Sequence, residues 1–557
     1  MAPPSRFNIQ QTMQEAVALH QQGRLREAEK LYARVLKAAP DHVDALHLLG
    51  LIKAQGDRMG EAYRLMSAAL KLNPQMPDVW INLANVLHSL EREAEALDCL
   101  DKALALRPAD MNALENRGNA LLTLGRAQEA LACFNEVLTR NPRHGTARLG
   151  RGGALASLGR ADEALTDFDA ALAVMPGHPG ALYNRGNALF DLGRYANAIT
   201  AYDGAIAAAP NDAPAWNNRG RALQALNRHA EAVASFDRAI AIRKDYADAH
   251  FNRALSLLTL GDLTRGFAEY EWRWQRSRVH DSRRSYGKPL WLGDYPLARK
   301  TILLTAEQGL GDTIQFARYA PLLAQSGARV VLEVQPELKT LLAGLDGVAS
   351  CHARGDQLPA YDVHCPLGSL PLALKTEPTN IPAAIPYLRA DEPHLIKWRE
   401  RLASLPGKRV ALAWAGNVSH ANDRNRSIDL KLLEPLLALE GISFLSLQRE
   451  LRGDNAEDLA RQANVTPLGG ELADMADTAA LIALADLTIS VDTSVVHVAG
   501  ALGRPVWVML AFAPDWRWTL NAESSPWYPQ ARLFRQPTLG DWPSVVAALR
   551  AELARLA

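Results

Sequence analysis

Three residues that follow an apolar run late in the chain form a candidate anion-binding motif. Leu487-Thr-Ile-Ser-Val491 predicts a strand, and Asp492-Thr-Ser494 stands between it and a predicted helix. A helix start presents backbone N–H groups and the positive end of the helix dipole, and small hydroxyl residues let a phosphate approach. The pattern therefore predicts an anion site. The alternative is an ordinary helix N-cap, where aspartate and serine are common.

Two other strand ends carry residues suited to the same chemistry. Glu307-Gln-Gly-Leu-Gly-Asp312 is a glycine-rich turn that ends in a carboxylate. A second loop contains Asn417 and then Arg424 and Arg426. Transfer of a group from a diphosphate needs a base beside the incoming hydroxyl and positive charge beside the departing phosphate. A carboxylate and arginines suit such a reaction, and the structural alternative for Asp312 is to cap a helix that begins at Thr313.

The elements that must hold these loops alternate between strand-like and helix-like segments. This alternation predicts an α/β fold with doubly wound parallel sheets. The predicted strands are 301–305, 328–334, 361–365, 410–414, 442–447, 487–491 and, as the last, 505–510; the predicted helices are 313–325, 430–439, 477–485 and one that opens after 492. Proline-rich sequence between about 376 and 393 separates two units, so we expect two Rossmann-like domains at 300–390 and 391–557.

One segment carries a resemblance to a known family. VDTSVVHVAGALGRPVWV, at 491–508, resembles the donor-binding segment of bacterial heptosyltransferases, glycosyltransferase family nine. The resemblance spans roughly 300–555 and implies a GT-B fold of two Rossmann-like domains with a nucleotide-sugar donor. By this resemblance Asp492, Thr493, Ser494 and His497 contact the donor.

The same resemblance implies roles for the other two loops. Gly311-Asp312 matches the Gly-Asp at the end of the family's first strand, which implies Asp312 as the base for the acceptor hydroxyl and Gly311 beside the donor. Asn417, Arg424 and Arg426 become candidates for the donor side. The family's Trp-Pro is replaced here by Asn425-Arg-Ser427, so the choice between the two arginines stays open.

The first half of the chain is a repeat array. Prolines stand 34 residues apart at Pro40, Pro74, Pro108, Pro142, Pro176 and Pro210. Between them an alanine recurs at one position of a second helix, and a glycine often recurs at the turn between two helices. The pattern resembles the tetratricopeptide repeat: seven units fit from about 9 to 246, and an eighth at 247–276 fits a cap. We expect an α solenoid at 1–276 and a basic, solvated junction at 277–299.

An asparagine recurs at one position of the first helices. The members of this asparagine ladder are Asn82, Asn116, Asn184, Asn218 and Asn252. It resembles the ladder that lines the concave groove of O-linked N-acetylglucosamine transferases, which implies an extended polypeptide acceptor. Asparagine offers both a donor and an acceptor to a peptide backbone. The alternative is that asparagine is tolerated on a solvated face. Arginines one residue later are expected to pair with acids such as Asp169, Asp203 and Asp237.

Composition excludes several other classes of function. The formal net charge is +0, which gives no general attraction to nucleic acid or acidic membranes, and no apolar run could span a membrane. The first ten residues have no apolar signal region, so we expect a cytoplasmic protein. Cys351, His352, His364 and Cys365 lack the spacing of a zinc site, and no metal or cofactor is expected.

The sequence thus predicts a metal-independent glycosyltransferase that moves a sugar from a nucleotide-sugar donor to a Ser or Thr hydroxyl of a protein held by the repeats. Proteins of this layout suggest flagellin as one acceptor. Two alternatives stay open: a non-catalytic repeat scaffold with a degenerate second half, and a transferase acting on a lipid-linked glycan. Trp516, Trp518 and Trp527 could stack on a base or sugar, or pack in the core.

Overall fold

The computed structural model describes residues 8–276, 284–419 and 422–556. Its internal contacts separate two compact units, which meet in sequence at Asn211 and Asp212. The first unit contains only repeat helices. The second contains the last helix pairs of the array together with two parallel sheets.

The helices of the first unit alternate as predicted from the proline spacing. They are α1 Ile9–Gln21, α2 Leu25–Ala38, α3 Val43–Gln55, α4 Met59–Leu72, α5 Pro77–Ser89, α6 Glu93–Leu106, α7 Met111–Thr123, α8 Ala127–Arg140, α9 Gly145–Ser157, α10 Ala161–Val174, α11 Pro179–Asp191 and α12 Tyr195–Ala208. Each second helix ends just before a proline, because the residue before proline disfavours the helical backbone. The fold class expected for this half, a tetratricopeptide solenoid, is confirmed.

Caps and turns fix where each helix begins. Two residues after the proline, His144 and His178 accept a backbone N–H of the first turn through Nδ1, at 3.4 and 3.2 Å. Asp110 does the same with its carboxylate at 3.0 Å. The turn between paired helices takes a left-handed backbone at Gly125 (φ 74°), as predicted; where glycine is absent, Glu91 adopts it (φ 57°).

The second unit opens with two more helix pairs. These are α13 Ala213–Ala225, α14 His229–Ile242, α15 Ala247–Thr259 and α16 Leu263–Tyr270, followed by a 3-10 turn at Glu271–Gln275. Phe267 packs edge-on against Trp516 and Trp527, with ring centroids 5.7 and 6.4 Å apart. The end of the array therefore shares a core with the α/β region that follows it.

The first sheet is parallel, in the order β3-β2-β1-β4. Its strands are β1 Thr301–Thr305, β2 Arg329–Val334, β3 Val348–Ala353 and β4 Val363–Pro366. The helices around it are α17 Leu310–Ala317, α18 Ala320–Gln325, α19 Lys339–Ala343 and α20 Leu370–Ala373. Strand β3 was not predicted, since it lies at the sheet edge and mixes polar with apolar residues. Helix α17 begins at Leu310, three residues before the predicted start.

The second sheet is also parallel, in the order β10-β9-β8-β5-β6-β7. Its strands are β5 Lys408–Ala413, β6 Ile442–Ser446, β7 Val465–Pro467, β8 Leu487–Val491, β9 Val506–Leu510 and β10 Ala531–Arg535. Its helices are α21 Glu392–Arg401, α22 Asp423–Arg426, α23 Leu430–Leu437, α24 Asn455–Ala460, α25 Met475–Leu484, α26 Ser494–Ala501 and α27 Trp542–Leu553. The prediction that 505–510 is the last strand is wrong, because β10 follows it and pairs with β9. The two arginines of β10 interrupt the apolar pattern from which a strand is predicted.

The basic stretch before the first sheet is not uniformly solvated. Arg273 is buried and donates to Ser369 Oγ at 2.7 Å, while Arg276 bonds Asp248 at 2.6 Å. Arg284 pairs with Glu333 at 3.1 Å; residues 277–283 of the predicted junction lie outside the described residues. Where the structure describes the chain, no helix is both long and apolar enough to cross a bilayer.

Candidate functional site

Asp312 lies in the first turn of α17, directly beyond the carboxyl end of β1. Its Oδ2 accepts a hydrogen bond at 3.1 Å from the backbone N–H of Gly309, which is the N-cap residue of α17. Its Oδ1 forms an ion pair with Arg517. Asp312 therefore does not cap a helix starting at Thr313. It stabilises an earlier start and is held by a residue 205 positions away in sequence.

Arg517 occupies the 3-10 turn Trp516–Trp518, beyond the carboxyl end of β9. The side chain is only 7% exposed. Besides Asp312, it bonds Asp515 at 2.8 Å and donates from Nε to Gln315 Oε1. Its guanidinium also lies 4.5 Å from the centre of the Trp516 ring. Sequence reasoning missed Arg517, because Asp515-Trp-Arg-Trp518 was considered only for its aromatic residues.

Asp492, Thr493 and Ser494 follow β8, as predicted, and all three are partly exposed. Thr493 is the N-cap of α26, yet its side chain makes no bond to the first turn. Its hydroxyl instead lies 3.1 Å from Ser490 Oγ. The side chain of Thr493 thus does not cap the first turn of α26. An anion site at a helix start requires a first turn that is not capped in this way.

The carboxyl of Asp492 has an unusual electrostatic setting. Its pKa is raised to about 6, chiefly by burial and also by the negative charge of Asp515, while Arg517 and Arg426 oppose the shift. Asp312 and Asp515 both pair with Arg517, whose charge also acts on Asp492. Mainly because of its burial, the Asp492 carboxyl retains its proton to a higher pH than an ordinary aspartate.

The structure separates the two candidate arginines. Arg426 Nη1 donates to the main-chain oxygen of Asp492 at 2.9 Å, and its guanidinium packs against Gly416. Arg424 is exposed and lines a cavity of about 410 Å³ beside Lys431 and Arg452. Arg426 thus bonds the segment that carries Asp492.

Gly311 and His497 lie in direct contact across the two sheets of this unit. A Cβ on Gly311 would lie 2.6 Å from His497 Cδ2, so no larger residue fits without displacement. His497 is buried and lies 3.0 Å, through Nδ1, from the Tyr528 hydroxyl. Burial, followed by Arg517 and Arg318, lowers its pKa well below the ordinary value. His497 is therefore neutral, and a donor contact from it stays a prediction.

Asn417 lies in the loop after β5 and is exposed. Its Oδ1 accepts the Ser419 N–H at 2.9 Å and the Ser419 hydroxyl at 2.8 Å, which folds the loop into a tight turn. Asn417, Arg426 and Asp492 all follow neighbouring strands β5 and β8 at one sheet edge.

A second carboxylate beside Asp312 was not predicted. Glu307 accepts the Gly368 N–H at 3.1 Å and lies 3.2 Å from Arg273. Burial raises its pKa to about 7, although Arg273 and the Gly368 N–H both lower it. The sequence placed Glu307 in a glycine-rich turn, and its proximity to Arg273 depends on tertiary packing.

The three tryptophans of the aromatic segment belong to the core. Trp516, Trp518 and Trp527 are 4%, 0% and 1% exposed. Core packing, one of the two predicted roles, is therefore the role that the structure gives them. None has a face open for stacking on a base or sugar.

The asparagine ladder bonds neighbouring repeats. In the first unit Asn82 Nδ2 lies 3.0 Å from His47 Nε2, Asn116 Nδ2 donates to Asn85 Oδ1 at 2.9 Å, and Asn184 is half-buried. In the second unit Asn252 Nδ2 donates to Asn217 Oδ1 at 3.0 Å, and Asn218 Oδ1 accepts from Asn217 at 3.1 Å. The side chains of Asn82, Asn116 and Asn252 thus each use one amide N–H to join adjacent repeats. A residue that is merely tolerated on a solvated face would not make such bonds.

The arginines that follow the ladder have the predicted structural role. Arg185 pairs with Asp169 and Arg253 pairs with Asp237, each at 2.6 Å. Within the described residues, Cys351, His352, His364 and Cys365 do not converge into a metal-binding group. The group that does, His394 with Asp474 and Asp477, has its buried Asp477 carboxylate already bonded to Lys397 and Trp398.

Family models match both halves of the chain. Tetratricopeptide repeat models match residues 75–143, 115–173, 158–213, 201–234 and 220–261, and a model for anaphase-promoting complex, cyclosome, subunit 3 matches 21–103. A model described as glycosyltransferase family 9 (heptosyltransferase) matches 445–546, which includes Asp492 and Arg517.

Individual proteins are similar over part of the chain. Protein FlbA of Caulobacter vibrioides is 28% identical over 312 residues, so the chain spans about half, 51%, of that relative's length. A tetratricopeptide repeat protein from Parabacteroides merdae is 21% identical over 45% of this chain and 98% of its own (TM-score 0.38). Pseudomonas aeruginosa PilF is 20% identical over 38% of this chain and 96% of its own (TM-score 0.34).

Proposed function

We propose that this chain, which joins tetratricopeptide repeats to a glycosyltransferase family 9 domain, transfers a sugar from a nucleotide-sugar donor to a Ser or Thr hydroxyl of a protein. The family match supports glycosyltransferase activity in general. One observation carries the finer proposal: Arg517 bonds Asp312 and lies close to Asp492, so the candidate base and the candidate anion site share a guanidinium.

In this proposal Asp312 accepts the proton of the acceptor hydroxyl. The hydroxyl oxygen attacks the anomeric carbon, and the bond from that carbon to the diphosphate oxygen breaks. The electron pair remains on the phosphate. Arg426 and the first N–H groups of α26 stabilise the resulting charge, as main-chain amides and arginine do in other phosphate sites.

The donor is assigned to the carboxyl edge of the second sheet. Two features support this: the partly exposed segment 492–494 at the start of α26, and the cavity that Arg424 lines together with Lys431, Arg452 and three aspartates. Asn417 and Ser494 lie at the same edge and offer polar contacts for the sugar or its phosphates. Because arginines and amides supply the positive charge, we propose that transfer needs no divalent metal, so a chelator should leave the rate unchanged.

The acceptor is assigned to the asparagine ladder. One N–H of Asn116 is committed to Asn85, which leaves its carbonyl and other N–H for an extended backbone. Such bonds read a peptide without regard to sequence, which suits an enzyme that modifies flexible protein segments. Flagellin is one acceptor to assay.

The test begins with nucleotide binding by the full chain. Uridine, guanosine, adenosine and cytidine diphosphates and their common sugar conjugates are screened by thermal shift. A ligand at about 100 times its Kd should stabilise the second unit by roughly 2.7 kcal/mol. Arg426→Gln should weaken that binding about tenfold, and the matched variant Arg424→Gln, two residues earlier in the same short helix, shows whether the cavity arginine contributes.

A second readout in the same test follows the acceptor. Replacing Asn116, Asn184 and Asn218 together by alanine should abolish transfer to protein while nucleotide binding stays intact. Unchanged transfer would favour a lipid-linked glycan as the acceptor. If no nucleotide raises the melting temperature of the wild-type protein, the chain is a scaffold and the proposed function is wrong.

A further inference from the structure

Both carboxylate oxygens of Asp312, the candidate base, are bonded in this structure. One carboxylate oxygen accepts the Gly309 N–H, and the other is paired with Arg517. These two partners occupy lone-pair positions of the carboxylate that an acceptor hydroxyl would use. The acceptor hydroxyl and the two partners therefore compete for the same carboxylate.

Of the two partners, Arg517 is the one that an anionic ligand can withdraw. The Gly309 N–H belongs to the helix start that carries Asp312, so it moves with the carboxylate. Arg517 comes from the opposite sheet, beyond β9, and its charge acts on Asp492 at the start of α26. A diphosphate bound at that helix start would lie close to the same guanidinium.

The charges around Arg517 favour an exchange of partners. Asp312 and Asp515 both bond it directly, Gln315 accepts from its Nε, and Asp492 is a third carboxylate nearby. Arg426 is a second cation at this point, and its Nη1 bonds the main-chain oxygen of Asp492. One guanidinium thus serves two carboxylates directly, so releasing Asp312 leaves Arg517 still paired with Asp515.

We propose that Arg517 is a positioning residue that holds Asp312 out of use until the donor arrives and then transfers one of its bonds from Asp312 to the donor's diphosphate. This inference rests on the proposed function. The exchange frees Asp312 Oδ1 to take the acceptor proton. The same guanidinium then neutralises the charge left on the phosphate when its bond to the anomeric carbon breaks. Before an acceptor binds, the donor is protected from hydrolysis only to the extent that water is kept away from Asp312.

The exchange predicts competition between Asp312 and a diphosphate for Arg517. If the guanidinium is available in only a fraction of the molecules, the apparent affinity for the ligand is the intrinsic affinity multiplied by that fraction. Asp312→Asn weakens the competing partner, so the diphosphate that binds the wild-type protein should bind this variant about five- to tenfold more tightly. Arg517→Met should bind it at least about tenfold more weakly, since a charge-assisted bond is lost.

A double variant separates competition from simple repulsion between Asp312 and the anion. Under competition, Asp312→Asn combined with Arg517→Met shows no gain over Arg517→Met alone. Under repulsion, the gain from Asp312→Asn persists without Arg517. Arg517→Met alone leaves the carboxylates of Asp312 and Asp515 without this partner, which lowers the stability of the fold. The double variant has one of these carboxylates fewer, so it also tests binding in a less destabilised protein.

The measurement is isothermal titration of the full chain with the nucleoside diphosphate selected by thermal shift. Arg504→Met serves as the control, because Arg504 precedes β9, at the amino end of that strand, and donates to the Ala485 main-chain oxygen. Its affinity should equal that of the wild type. A gain from Asp312→Asn that survives removal of Arg517, or full affinity in Arg517→Met, overturns the inference while leaving the proposed function intact. Absence of nucleotide binding by the wild type overturns both.

Discussion

At the scale of single residues, the site is a set of charges that could not all be inferred from sequence. Asp312 and Asp492–Ser494 were predicted from strand ends and a family resemblance, and they lie where strand ends place them. Arg517 and Glu307 were not predicted. Their importance comes from tertiary neighbours: Asp312 for Arg517, and Arg273 for Glu307.

The raised pKa of Asp492 gives a prediction about stability and pH. Its pKa in the folded state is about 6, above the ordinary value of 3.8, so folding favours the protonated form. The stability from this group is complete below about pH 4 and is lost as the pH rises through 6. Asp492→Asn should therefore increase the free energy of unfolding at pH 7.5 by about 1–2 kcal/mol and by much less at pH 4.5.

Urea unfolding of the ligand-free protein at the two pH values checks this prediction. The exposed Asp346→Asn is the matched control, since it removes the same charge far from Arg517. An equal gain for Asp492→Asn at both pH values would show that the carboxyl of Asp492 is not destabilised by its surroundings.

At the scale of elements, the contact between α17 and α26 joins the two sheets. Gly311 lies against the buried ring of His497. Gly311→Ala should cost about 1–3 kcal/mol of stability, because the added methyl group overlaps a ring that is fixed by Tyr528. Gly344→Ala is the control, since no atom lies within 4 Å of its added methyl group.

Thermal unfolding of the two variants compares these costs. The double variant Gly311→Ala with His497→Ala should recover part of the loss, because the smaller residue leaves room for the methyl group. If Gly311→Ala is as stable as the control, the two helices do not pack as closely as described.

The elements differ in how well the sequence predicts them. The repeat helices were predicted closely, since a proline, a capping residue and a turn recur every 34 residues and local chemistry fixes each boundary. Central strands such as β8 were predicted because they are continuously apolar. Edge strands β3, β7 and β10 were missed, since polar residues are tolerated where one side of a strand has no partner and β7 has only three residues.

At the scale of the whole molecule, the repeat pattern and the contacts divide the chain differently. The repeats continue to about residue 276, whereas the compact units separate after Asn211. The last helix pairs share a core with the α/β region through Phe267, and the buried Arg273 bonds Ser369. A fragment that starts at Asp212 should therefore fold cooperatively, whereas one that starts at residue 277 should not.

Size-exclusion chromatography and thermal unfolding of the two fragments check this prediction. The shorter fragment loses Phe267 and exposes the faces of Trp516 and Trp527, a loss of the order of 3–5 kcal/mol from the aromatic ring alone. Aggregation or a strongly lowered melting temperature is expected for it. Equal stability of the two fragments would show that the last repeats are not part of the transferase core.

The most direct test of the account is transfer measured by intact-protein mass spectrometry with Asp312→Asn beside the wild type. The full chain is incubated with the nucleotide sugar that it binds and with a Ser/Thr-rich polypeptide such as flagellin. The account predicts a mass increase of one sugar per modified residue for the wild type and a rate lower by roughly 10²–10⁴-fold for Asp312→Asn, whose nucleotide binding is retained. Transfer by Asp312→Asn at the wild-type rate would contradict it.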